Sequence, residues 1–86
     1  MLIREHRLFK KSYKKLPIKI KKKVINTIKQ FKINPQNPIL KNHKLHGELI
    51  GKRSISVTGD VRIIFEEYEN YTVVLMINVG SHNQVY

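Results

Sequence analysis

Residues Lys52–Tyr86 alternate strand-prone runs with short polar breaks, a pattern that constrains the fold more than any other in the chain. Lys52–Thr58, Val61–Tyr68 and Tyr71–Val79 are rich in β-branched and aromatic residues, with Gly59-Asp60 and Glu69-Asn70 between them. Breaks of two turn-prone residues between such runs mark consecutive tight hairpins. The stretch therefore reads as a three-stranded meander. A polar tail follows it, Gly80-Ser81-His82-Asn83-Gln84-Val85-Tyr86, and ends on an aromatic ring.

A small sheet with an apolar face needs a covering layer, and the first half of the chain supplies one. Leu2 and Ile3 open a short strand, and from His6 the residues Phe9, Tyr13 and Leu16 recur at helical spacing. They put one apolar stripe on about three turns of helix. Leu16-Pro17 interrupts it, because proline disfavours helix in the preceding residue yet fits the first turn of a new one. In the second helix Ile20, Val24, Ile28 and Phe31, with Ile25 alongside, oppose Lys19, Lys22, Lys23 and Lys29. Asn34-Pro35-Gln36-Asn37-Pro38 ends it.

Two helices with one apolar stripe each are expected to lie on one face of the sheet. Strand alternation assigns Val61, Ile63 and Phe65, with Tyr71, Val73, Leu75, Ile77 and Val79, to that face. Arg62, Ile64, Glu66, Val74, Met76 and Asn78 fall on the reverse face, which is expected to be open to a ligand. The expected fold is α+β in the order β-α-α-β-β-β: a two-helix N-terminal hairpin on one face of a small, twisted, mainly antiparallel sheet. Residues 1–86 are expected to form one domain.

With no cysteine there is no disulfide and no thiolate metal site. No apolar run approaches the ~18 residues of a membrane span, and the start, Met-Leu-Ile-Arg-Glu-His, lacks a signal peptide's apolar core. A cytoplasmic protein without membrane attachment is expected. Charge says more: 17 Lys and Arg against 6 Asp and Glu give +11. Residues 1–53 hold sixteen of the bases and two acids, hence +14, and residues 54–86 hold Arg62 against four acids, hence −3. Such a field attracts a polyanion or an acidic protein, or it is simply a solvated lysine-rich surface.

Between the helices and the meander, Lys41-Asn42-His43-Lys44-Leu45-His46-Gly47 places two histidines in a loop. They lack the further ligands and the helical spacing of a metal site, and no metal is expected. If the polyanion is RNA, metal-free cleavage needs a base for the ribose 2′-hydroxyl, a cation for the phosphorane-like transition state and an acid for the leaving 5′-oxygen. His43, His46 and His82 can serve as base or acid, Arg62 can fork onto phosphate oxygens, and Tyr86 can stack on a base. Asp60 can orient a histidine or the substrate hydroxyl. Each also has an ordinary reading: loop histidines, a turn aspartate, a surface arginine paired with Glu66 or Glu48, and a ring that plugs the end of the sheet.

The runs Leu45-His46-Gly47, Arg53–Phe65 and Val79–Tyr86 resemble the RelE-type toxins of the RelE/ParE toxin–antitoxin superfamily. The resemblance is closest to the YafQ-like branch, whose chains end in Gly-(Thr/Ser)-His followed by an aromatic. It implies the RelE-like microbial RNase fold and an endoribonuclease, an mRNA interferase, that enters the ribosomal A site and cuts mRNA without metal or other cofactor. It also implies a cognate antitoxin that holds the toxin inactive. Carried over by position, His43 falls on the base, Arg62 on the strand arginine that stabilises the phosphate, and His82 on the acid. Tyr86 falls on the terminal aromatic that orients the substrate, and Asp60 on an acidic member of the same cluster. His46 and Arg53 are further candidates.

Two positions depart from that branch: Ser56 stands where it carries His, and Val61 where it carries an aromatic. Arg62 is typical of other branches, so the site is composite. His43 or His46, Arg62, His82 and Tyr86 are expected to gather around one phosphate-sized hollow. Lys19, Lys22, Lys23, Lys29, Lys41, Lys44 and Lys52 are expected to grip ribosomal RNA, and an acidic antitoxin is expected to meet the lysines and cover the open sheet face. Two other functions fit the same residues: a ParE-like toxin that binds DNA gyrase without catalysis, and a basic nucleic-acid-binding module.

Overall fold

A computed structural model describes residues Met1–Tyr86. Its elements are β1 (Leu2–Glu5), α1 (Arg7–Lys14), α2 (Ile18–Ile33), β2 (His43–Lys44), β3 (Arg53–Ser56), β4 (Val61–Tyr68), β5 (Val73–Ser81) and α3 (His82–Val85). The sheet runs in the order β1-β5-β4-β3-β2, with β1 parallel to β5 and every other pair antiparallel. The α+β helix-hairpin-on-sheet architecture is the expected one. It gains two elements that alternation did not indicate: the two-residue strand β2, and a closing helical turn, α3, where a polar tail was expected. No helix is long and apolar enough to cross a membrane.

Local chemistry accounts for the helix ends. His6 caps α1, its Nδ1 accepting a hydrogen bond from the Leu8 N–H at 3.0 Å. Pro17 stands at the cap of α2, as its fixed φ allows, and Asn34 closes that helix. The apolar stripes then pack: Phe9, Val24 and Phe31 are buried against Ile55, Ile63, Phe65, Val74, Met76 and Val79 of the sheet. Phe31 meets Phe65 at a centroid distance of 5.0 Å and Tyr71 at 5.9 Å, both edge to face. Such contacts each contribute ~0.5–1.5 kcal/mol beyond the area they bury. Ile25 departs from its expected place on the stripe, with 48% of its surface exposed.

The meander turns where Gly59-Asp60 and Glu69-Asn70 indicated, but Tyr71 belongs to the second turn and not to the strand. Glu69, Asn70 and Tyr71 all take left-handed backbone conformations. For a bulky tyrosine this is costly. Its ring packing and the Glu67 carboxylate, which accepts the Tyr71 N–H at 2.9 Å, hold it there.

The assignment of β5 to faces is overturned over most of its length. Val74 and Met76, expected on the reverse face, are fully buried beneath the helices, whereas Ile77 packs against the reverse-face residues Leu45, Ile64 and Val85. Val73 and Leu75, expected beneath the helices, lie in the opposite phase to Val74 and Met76. The cause is a bulge. Ile64 pairs with Asn78 and Phe65 with Met76, so Ile77 is an extra residue in β5 and the strand changes phase there. Val79 is again in the helix-side core, as expected. The face expected to be open is in part covered, because Leu45, Leu49, Ile77 and Val85 close over Ile64.

Candidate active site

After β5 the chain end lies over the reverse face, where Val85 packs against Leu45 and Ile64, and α3 fixes its direction. Ser81 caps the turn: its Oγ accepts from the Gln84 N–H at 3.3 Å, while Gln84 Oε1 accepts from the Ser81 N–H at 2.8 Å. This reciprocal pair satisfies donors that a free helix end would leave to water. His82 and Tyr86 stand four residues apart on that turn, the spacing that stacks side chains on one face. Their rings meet edge to face, with centroids 4.4 Å apart.

Two contacts tie this turn to the rest of the sheet. The Tyr86 hydroxyl lies 2.5 Å from Ser54 Oγ, and Ser54 is fully buried. The His82 N–H donates to the Asp60 carbonyl at 2.9 Å and lies 3.4 Å from the Asp60 carboxylate. On the far side, Ser54 is the cross-strand partner of His43, and such partners project from the same face. One arc on the reverse face therefore runs His43, Ser54, Tyr86, His82, Asp60, with Ser54 buried within it. Four of these five residues are the sequence candidates. Ser54 is the member that sequence reasoning missed; strand alternation puts it on the reverse face with Arg62, but nothing local signals a partner 32 residues on.

His43 is exposed, and its Nδ1 lies 2.8 Å from the Lys41 carbonyl. His46 lies beside the arc. It lines a shallow hollow of about 430 Å³ with Leu45, Glu48, Leu49 and Tyr86.

Arg62 and Arg53 are placed differently from expectation. No hollow is lined by both Arg62 and His82, so the single phosphate-sized cavity expected around them does not form. The Arg62 guanidinium is drawn back onto the β3–β4 turn, donating to the carbonyls of Thr58 at 2.7 Å, Gly59 at 3.0 Å and Val61 at 3.2 Å. Up to three of its five N–H groups are occupied there, and the rest remain available. Arg53 pairs across strands with Phe65, so it projects from the helix-side face, where its Nε donates to Asn42 Oδ1 at 2.8 Å. It holds the loop before β2 instead of joining the arc.

The lysines fall into two groups. Lys22 and Lys23 line a cleft of about 300 Å³ with Asn26, Thr27, Gln30 and Ser56, beside Lys19 and Lys29 of the same helix. Lys44 is the cross-strand partner of Arg53 and projects with it from the helix-side face, not beside the arc, whereas Lys52 lies 3.9 Å from Glu66 and Lys41 stands two residues before His43. Glu66 also accepts a hydrogen bond from Tyr68. That bond, with lesser contributions from desolvation and the carboxylate charge, raises the pKa of the Tyr68 phenol above its ordinary value. No cluster of three His, Asp or Glu side chains has the convergence of a metal site.

Solved structures share this fold. A YoeB/ParE toxin from Agrobacterium tumefaciens superposes with a TM-score of 0.78 at 18% identity, covering 95% of this chain and 99% of that one. YafQ from E. coli strain BL21(DE3) superposes at 0.71 with 20% identity, covering 98% and 96%. The toxin–antitoxin complex RelBE2 from Mycobacterium tuberculosis gives 0.70 with 22% identity, covering 94% and 96%. No curated protein matches the sequence significantly. The family model described as "Bacterial toxin of type II toxin-antitoxin system, YafQ" matches residues 1–86. The chain thus belongs to the YafQ family of bacterial toxins of type II toxin–antitoxin systems.

Proposed function

We propose that this toxin is a ribosome-dependent mRNA endoribonuclease that cuts by metal-free acid–base chemistry. The observation that carries the proposal is the arc: His43 and His82 flank the Tyr86–Ser54 pair on one exposed face. Two imidazoles on either side of a bound phosphate are what a transesterification needs. His43 takes the proton of the ribose 2′-hydroxyl, whose oxygen attacks phosphorus, and the bond to the 5′-oxygen breaks as His82 gives that oxygen a proton. The products are a 2′,3′-cyclic phosphate and a free 5′-hydroxyl.

The remaining candidates take supporting roles. Asp60 holds the backbone of His82, the free N–H groups of Arg62 meet the equatorial phosphate oxygens, and Tyr86 orients the nucleotide by its ring. Lys41 and Lys52 grip the message beside the arc, and Lys44, on the helix-side face with Arg53, joins Lys19, Lys22, Lys23 and Lys29 in meeting ribosomal RNA. The toxin acts in the cytoplasm, where the ribosomes are. Its cognate antitoxin is acidic and meets the lysine field, in keeping with the RelBE2 relative, which is a toxin–antitoxin complex. The test is cleavage of mRNA on programmed ribosomes by wild type and His82→Ala. Intact messages together with inhibition of gyrase supercoiling would replace this reading with that of a non-enzymatic toxin.

A further inference from the structure

His43 makes one side-chain hydrogen bond, from Nδ1 to the Lys41 carbonyl at 2.8 Å. A carbonyl oxygen has no proton to give. In the neutral ring Nδ1 therefore carries the hydrogen, and Nε2 is left with the lone pair. That is the tautomer of a ring ready to accept a proton at its outer nitrogen. His46, by contrast, makes no side-chain bond to cap the turn it precedes.

The carbonyl that makes this choice is held in an unusual place. Lys41 has φ 51° and ψ 44°, the left-handed region that side chains other than glycine's seldom adopt. Residues held there against their preference persist only where their surroundings over-determine them, and they concentrate at functional sites. Here the surroundings are explicit. On one side Leu40 is buried in the core, and the Lys41 N–H donates to the Pro38 carbonyl at 3.2 Å. On the other, the Asn42 side chain donates to the Pro35 carbonyl and the Tyr71 hydroxyl, both at 3.0 Å, and accepts from Arg53 at 2.8 Å. The Lys41 carbonyl is clamped between two anchored residues and aimed at the ring that follows.

We propose that Lys41 is a positioning residue: its left-handed backbone selects the Nε2-basic tautomer of His43, and so makes His43, not His46, the base of the cleavage. The role as base rests on the ribonuclease reading; the tautomer is a property of the free protein and stands or falls alone. Outer partners that orient metal-bound imidazoles typically matter by ~10–100-fold in metal affinity or activity, and an effect of the same order is expected for a partner that orients a base.

The experiment is a long-range proton–nitrogen correlation spectrum of the ¹⁵N-labelled full chain, at a pH where the His43 ring is neutral. The expected signature is a protonated Nδ1 and a bare Nε2. Lys41→Gly and Lys41→Val remove the same ammonium, but glycine accepts the left-handed conformation freely and valine resists it. Lys41→Gly keeps the signature. Lys41→Val mixes the tautomers and cuts mRNA at least about tenfold more slowly than Lys41→Gly. A wild-type ring with its proton on Nε2 overturns the proposal even if messages are cut. Equal tautomer ratios in the two variants overturn the role of Lys41. Should Lys41→Val fail to fold, Lys41→Ala takes its place in the comparison. A wild type with the expected tautomer and no cleavage refutes the ribonuclease reading alone.

Discussion

The hydroxyl of Tyr86 lies 2.5 Å from the buried Oγ of Ser54 on β3. This contact sets where the chain end lies and holds the Tyr86 ring against His82. Its worth follows from what each deletion strands. Tyr86→Phe leaves the buried Ser54 hydroxyl unpaired, at a cost of ~1–3 kcal/mol. Ser54→Ala leaves the Tyr86 hydroxyl, on a residue that is 43% exposed, to be satisfied by water. In urea denaturation Tyr86→Phe should therefore be the more destabilising, and the double variant should lose less than the sum by about 1 kcal/mol. Additive losses would show that the two hydroxyls do not interact.

A methyl group added at Gly80 should be felt through the cap of α3, for a reason unrelated to backbone freedom. A Cβ there would sit 2.8 Å from Gln84 Oε1, the atom that accepts the Ser81 N–H, and 3.4 Å from a Val85 methyl. Gly80→Ala displaces Gln84, opens the reciprocal cap of α3 and shifts His82 and Tyr86. The expected stability loss is ~1 kcal/mol, that of one hydrogen bond, with a larger proportional loss of cleavage. Gln84→Ala in the same chain should lessen the incremental cost of Gly80→Ala. A Gly80→Ala protein with wild-type stability and activity would mean that the cap does not position the site.

Tyr68 offers a titration with a definite sign. The neutral phenol donates to Glu66, so ionisation is opposed and the pKa is raised above the ordinary tyrosine value. The stabilisation is present while the phenol is neutral and is lost as pH rises through the folded-state pKa. Glu66→Ala removes the acceptor and the charge together. The Tyr68 ring resonance followed by NMR should then titrate at lower pH than in wild type; an unmoved titration would contradict the contact.

The sequence carries the helices and the order of the meander because their signals are local: Pro17 and Asn34 bound α2, and Gly59-Asp60 marks a turn. Face assignment in β5 fails because a bulge is a property of two strands. Val73–Val79 reads as uninterrupted alternation until its pairing with Ile64 and Phe65 makes Ile77 supernumerary. The chemistry of His43, Asp60, His82 and Tyr86 could be read from the residue types, but ordinary structural roles fitted them as well and only the resemblance chose between the two; the structure brings the four onto one arc. Arg62 was expected beside a shared hollow; carbonyls released by the β3–β4 turn hold its guanidinium, an effect of backbone geometry that composition does not reveal. Tyr71 had the composition of a strand residue and the conformation of a turn.

The most direct test is primer extension on messages bound to programmed ribosomes, comparing wild type with His82→Ala. Wild type should cut the message in the A site. Loss of His82 should lower the rate at least ~10²-fold, the low end of what a positioned acid contributes. Circular dichroism should show the fold retained. Undiminished cleavage by His82→Ala would contradict the proposed role of the arc in acid–base chemistry.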